Sequence, residues 1–186
     1  MKKITYLIIS IGCAFLTACF PAQKIAKFNP ETGVIQLENG KKLGSATIVK
    51  STKVDLNSLK EIALFSSNQY YYEYGFKQLS ELGYFKQVVK IADLEKLVIA
   101  NNLQDKVINL DSQIGLNRLA KSYKPFLWLT LTPKREDNIY FLSLTVTNPT
   151  NAEDLFEVKT LSSGSSDEEV LYPLFNELSI WIKNNS

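Results

Sequence analysis

The chain has 186 residues, 45% hydrophobic and 22% charged, which bounds it to one globular domain with or without appendages. Lys2 and Lys3 account for the formal charge of +2; the remainder is balanced, with no block of Lys and Arg of the kind a sequence-independent grip on nucleic acid needs. There is no histidine, which excludes Ser-His-Asp and Cys-His mechanisms as written and removes the commonest metal ligand.

The chain opens MKKITYLIISIGCAFLTACF. Two lysines are followed by an apolar run, Ile4 to Phe15, and then by small residues before Cys19. That is the layout of a secretory signal, too short to span a bilayer comfortably. Leu16-Thr17-Ala18-Cys19 resembles the lipobox of bacterial lipoproteins. The resemblance implies cleavage before Cys19 and lipid on its sulfur, so that Cys19 becomes the first residue of a membrane-anchored protein. Phe20, in place of an aspartate, implies delivery to the outer membrane, facing the periplasm. Two or three acyl chains make such an anchor stable where one does not. Cys13 would leave with the leader, so no disulfide partner remains for Cys19.

Residues 1–18 therefore read as a signal peptide, 19–52 as a lipidated tether, and 53–186 as the globular domain. Within the tether, Val34 to Leu37 and Lys42 to Val49 flank Asn39-Gly40, which predicts a β-hairpin. Glu61 to Ser66 predicts a buried strand, Asn68 to Leu82 a helix stopped at Gly83, and Tyr84 to Ile91 a second strand parallel to the first. Helices are expected over Asp93 to Asn102 and Asp111 to Tyr123, the latter N-capped by Asp111. Alternation in Phe126 to Thr132, Ile139 to Thr147 and Leu155 to Leu161 predicts an antiparallel meander of three strands. A terminal helix from about Asp167 to Lys183 carries the stripe Leu171, Leu174, Phe175, Leu178 and Ile182, with Ser165 or Ser166 as its cap. The expected class is α/β or α+β: a mixed sheet of about five strands, a βαβ unit followed by the meander, with helices packed on it. This organisation, with TVTNPTNAEDLFEV as one hairpin, resembles the periplasmic domains of penicillin-binding-protein activator lipoproteins, the curli secretion lipoprotein group and the amino-terminal domain of the Tol translocation protein.

Few residues carry chemistry. Asp167-Glu168-Glu169 reads as a helix start, and Glu136-Asp137 and Glu153-Asp154 as turn residues, rather than as acid–base or metal sites. Ser162 to Ser166 reads as a loop, since the acids that follow would repel a phosphate. No catalytic residue, metal site or cofactor is expected. The most unusual composition is Tyr70-Tyr71-Tyr72-Glu73-Tyr74-Gly75-Phe76. Five aromatics in seven helical positions cannot all face one core. Tyr72 and Phe76 form one stacked pair and Tyr70 and Tyr74 another, leaving Tyr70, Tyr71 and Tyr74 as contacts for a protein partner. Two further readings stand beside this one: a small apolar or glycan ligand held near Phe126 and Trp128, and a hydrolase working through paired carboxylates.

Overall fold

The computed structural model describes residues 25–29, 31, 33–37, 44–162 and 167–186. The leader, Cys19 and Phe20, the Asn39-Gly40 turn and Ser163 to Ser166 lie outside the described residues.

Among the described residues, eight strands and four helices follow in the order β1 (Ile25–Asn29), β2 (Val34–Leu37), β3 (Thr47–Ser51), β4 (Ile62–Ser67), α1 (Gln69–Glu81), β5 (Gln87–Val89), α2 (Ile91–Ala100), α3 (Gln113–Ser122), β6 (Leu127–Glu136), β7 (Ile139–Asn148), β8 (Glu153–Leu161) and α4 (Asp167–Asn184). Six strands form one mixed sheet in the order β3-β8-β7-β6-β4-β5. The βαβ unit is β4-α1-β5, with β4 and β5 parallel. The chain then crosses to the other side of β4, where β6 also runs parallel to it, and β6, β7 and β8 form the expected meander.

The period-two alternation of the strands feeds two cores. Ala63 and Phe65 of β4 face one side with Leu127, Leu129 and Leu131 of β6 and Leu142, Leu144 and Val146 of β7; α1 and α4 cover them. Ile62 and Leu64 face the other side, under Leu94 and Val98 of α2 and Leu116 and Leu119 of α3. Strand β4 is thus apolar on both faces, as a central parallel strand must be. Helix α1 lies so close to it that a Cβ at Gly75 would collide with the Phe65 ring.

The second face changes character along the sheet. On β7 and β8 it carries Ser143, Thr147, Asp154, Glu157 and Lys159, joined by Ser143 Oγ–Glu157 at 2.9 Å and Thr147 Oγ1–Asp154 at 2.6 Å. Lys134 and Lys159 complete the set by pairing with Glu157 and Glu136. The turn between β6 and β7 is made by Asp137 and Asn138, both left-handed, as a two-residue hairpin requires.

Three local expectations are corrected. Val34–Leu37 does not pair with the segment ending in Val49; it pairs with β1, through a turn in which Gly33 has φ +72° and Asn29 caps Glu31 at 2.8 Å. Thr47–Ser51 instead joins β8 as the sixth strand of the main sheet. Strands β1 and β2 thus pack on α4, and β3 is part of the main sheet. Helix α3 is capped by Ser112, whose hydroxyl accepts the Gly115 N–H at 3.1 Å, and not by Asp111. The cap sits one residue later because Asp111 N–H is bonded to Asn109 Oδ1, and the Asn109 carbonyl occupies the space where a Cβ on Gly115 would be.

Helix α4 is buried on two sides. Its expected stripe, Leu171, Leu174, Phe175, Leu178 and Ile182, faces the sheet. At 100° per residue, Tyr172, Asn176, Ser179 and Lys183 form a second stripe about 110° round the helix, on its flank. There the β1–β2 hairpin lies. Asn176 accepts the Ile35 N–H at 2.6 Å and donates to the Ile35 carbonyl at 2.9 Å, filling the place of a neighbouring strand. Val34 and Ile35 are buried beside it, and Lys183 Nζ donates to the Glu31 carbonyl at 3.1 Å. The helix end is tied as well: Trp181 Nε1 donates to Thr52 O, and Asn185 bonds the backbone N–H of Val54 and Leu56.

Asn176→Ala leaves the buried N–H and carbonyl of Ile35 without partners, an expected loss of about 2–3 kcal/mol. Urea unfolding measures it, and limited proteolysis should show new cleavage within residues 25–37.

Candidate functional site

The sheet ends at β5, a strand of three residues with α1 on one side and α2 on the other. Its inner edge is occupied: Gln87 N–H donates to Glu61 O at 3.1 Å. The alternation of a parallel ladder then turns the backbone groups of Val88 outward. Beside this edge lies an open cleft of about 590 Å³, floored by Val88, Val89 and Leu97 and flanked by Lys86, Asp93 and Lys96.

Lys90, which caps β5 and starts α2, joins the cleft to the aromatic helix. Its ammonium stands 5.0 Å from the centroid of Tyr72 and 5.2 Å from that of Phe76, whose rings are stacked at 5.9 Å. Its backbone N–H donates to Asp93 Oδ2 at 3.2 Å, which places that carboxylate at the mouth of the cleft. Asp93 is held below the usual carboxylate range by this bond first, and by Lys96 second. The ion pairs here are Lys86–Glu61, Lys90–Glu73 and Lys96–Asp93. All are exposed, and such pairs hold their members weakly enough for an incoming charge to redirect them.

The tyrosines divide. Tyr70 is 61% exposed and Tyr74 41% exposed, while Tyr71 is half-buried against the core under α1 and meets Tyr70 edge-on at 4.8 Å. Tyr72 faces inward; its hydroxyl is buried without a hydrogen-bond partner, and burial pushes its pKa up to about 12. Phe126 is fully buried in the second core, and Trp128 packs against that core with its indole N–H on Ser66 Oγ at 3.1 Å. Neither lines the cleft. The acids of the turns have structural partners: Glu136 pairs with Lys159, and Asp154 accepts from Thr147. Among the described residues no group of three or more His, Cys, Asp or Glu could hold a metal ion. Among them, too, no helix is long and apolar enough to cross a membrane.

Sequence reasoning found the exposed tyrosines and missed the cleft. Lys86, Lys90, Asp93 and Lys96 carried a local signal, three lysines spaced around Val88-Val89, but nothing local says that β5 is an outer strand.

No family model matches the sequence, and no curated protein matches it. Solved structures with some likeness include the PelC dodecamer from Paraburkholderia phytofirmans, with 8% identity, a TM-score of 0.36, and coverage of 73% of this chain and 96% of that one. They also include the lipoprotein GNA1162 from Neisseria meningitidis, with 16% identity, a TM-score of 0.25, and coverage of 67% and 96%. Scores this low carry no argument about function.

Two outcomes are expected of substitutions here. Tyr72→Phe removes a buried, unpartnered hydroxyl and should stabilise the protein by up to about 1 kcal/mol. The tyrosine pKa is higher in the fold than in the unfolded chain. The neutral form therefore stabilises fully below pH 10 and progressively less toward pH 12, and the variant should lose less stability over that window in urea titrations. On the polar face, Glu157 is held below the usual carboxylate range by Lys134 first and Ser143 after, against its burial. Its contribution is present above the ordinary carboxylate pKa and is lost as pH falls through the folded value. Glu157→Gln should thus destabilise at pH 7 and have little effect near pH 2, read by thermal unfolding.

Proposed function

We propose that this is a lipid-anchored, non-enzymatic protein of the cell envelope, held by Cys19 at the outer membrane and facing the periplasm, and that it binds a protein partner along the α1–β5–α2 edge. The observation that carries the reading is the continuity of that edge: the Tyr72–Phe76 stack, the Lys90 ammonium and the β5 cleft follow one another along the sheet's outer strand. An edge strand beside an apolar groove accepts an extended peptide, whose backbone bonds the strand and whose side chains enter the groove. Here Val88 supplies the outward backbone groups, Val89 and Leu97 the apolar floor, and Lys86 and Lys96 a match for acidic side chains. Exposed Tyr70 and Tyr74 widen the contact, because tyrosine buries a flat apolar ring and keeps a polar tip. The lack of histidine and the structural partners of the turn acids support an accessory role rather than catalysis. The lipobox-like segment supports the anchor.

Photo-crosslinking in intact cells tests this. A photoreactive residue at Gln87, Lys96 or Tyr74 should give an adduct of one shared partner mass, and at Glu153, on the far side of the sheet, none. Val88→Arg should abolish the adduct formed at Gln87 without changing the far-UV spectrum. Equal adducts at Glu153, or none at any site, would overturn the partner reading. The mass of the amino-terminal peptide reports the anchor separately.

A further inference from the structure

Strand β5 closes its end of the sheet, and of its three residues only Val88 turns its backbone groups away from β4. A chain laid along this edge is therefore bonded through the one residue that pairs with Val88. Side chains alternate across a strand, and here Val88 belongs to the core under α1 and Val89 to the core under α2. The residue paired with Val88 thus points to the α1 side, and the residues before and after it point to the α2 side, where the cleft is. Helix α2 lines that cleft with Asp93, Lys96, Leu97 and Ala100, whose spacing of three and four puts them on one flank. From Asp93 to Ala100 the flank is about 10 Å long at 1.5 Å per residue. Side chains two apart in a strand are separated by about 7 Å, and those four apart by about 13 Å. The flank has the length for two side chains of an added strand and not for three.

The lining says what those two side chains are. Val89, Leu97 and Ala100 form an apolar stretch, and Lys86, Lys96 and Asp93 are the charged groups beside it. Lys86 pairs with Glu61 and Lys96 with Asp93, and in both pairs the lysine is the more exposed side chain, 66% against 39% and 78% against 41%. Asp93 is further engaged by the Lys90 N–H. Of the other acids on α1 and α2, Glu73 and Glu81 pair with Lys90 and Lys77, and Glu95 does not line the cleft. An incoming chain therefore meets ammonium first, and ion pairs this exposed are weak enough for a new carboxylate to share the lysine.

From this geometry we infer that the cleft recognises an extended protein segment by spacing: one apolar and one acidic side chain two residues apart, on either side of the residue that pairs with Val88. Both strand directions satisfy it, since side chains two apart share a face in either. The inference rests on the partner reading proposed above and adds what that partner carries.

The test uses the nitrogen-15-labelled full chain in detergent and two isomeric peptides. In acetyl-Thr-Thr-Leu-Thr-Glu-Thr-Thr-amide the leucine and glutamate share a face; in acetyl-Thr-Thr-Thr-Leu-Glu-Thr-Thr-amide they do not. The first should bind several-fold more tightly and move the amide signals of Val88 and Leu97. Replacing its glutamate by glutamine should weaken it, and that preference should vanish when the protein carries Lys86→Gln and Lys96→Gln. Equal affinity of the isomers, or no movement of Val88 and Leu97 with either, would overturn the spacing. A preference for glutamate that survives the double substitution would overturn the role of the lysines. In each case an adduct at Gln87 in cells would leave the partner reading standing, whereas its absence there and at Lys96 and Tyr74 would remove both.

Discussion

Helix α4 must satisfy two surfaces at once, and the remaining architecture is arranged around that requirement. An amphipathic helix on a sheet normally leaves its reverse side to water. Here one flank of the helix carries Tyr172, Asn176 and Ser179, all buried. A buried asparagine is tolerated only where its amide is matched, and Ile35 supplies a donor and an acceptor in the geometry of a strand neighbour. The pair does two things. It gives the short hairpin a third hydrogen-bonding partner, without which two strands are marginal in water. It also fixes the hairpin's register on the helix, through the single pairing of Ile35 with Asn176.

The sheet faces differ for a related reason. Where helices cover both sides, at β4, the strand is apolar on both faces from Ile62 to Phe65. Where only α4 covers, at β7 and β8, the uncovered side is built from hydroxyls and paired charges. Ser143 is fully buried on that side even though no helix lies over it. The long side chains of Lys134, Glu157 and Lys159 form its roof, their aliphatic stems taking the place of a packed element.

Much of this was legible in the chain. The meander follows from alternation in three successive runs, and the βαβ unit from strand, helix and strand in series, because both patterns are local. The errors come from partners far along the sequence. Asn39-Gly40 is a strong local turn signal, yet β2 pairs backwards with β1, because Asn29 and Gly33 already close a turn there. Thr47–Ser51 reads as half of a hairpin but is drawn to β8, more than a hundred residues later. Helix α3 starts one residue late because Gly115 must approach Asn109, a contact that no capping pattern encodes. The site divides the same way. Tyr70 and Tyr74 were foreseeable as exposed from helical spacing, whereas Tyr71 was drawn onto the core, and the β5 cleft depends on sheet order, which composition does not reveal.

The tie between Ile35 and Asn176 spans 141 residues, and β3 and β8 likewise join the two ends of the chain. Contacts this distant form late, since the intervening loop must close before they contribute. A chain emerging from its amino terminus holds β3 without its strand partner until β8 has been synthesised, and the β1–β2 hairpin without its seat until α4 has followed. The fold cannot lock while the carboxyl end is missing. On the anchored reading proposed above, that delay keeps the precursor open for export and lets the structure close only on the far side.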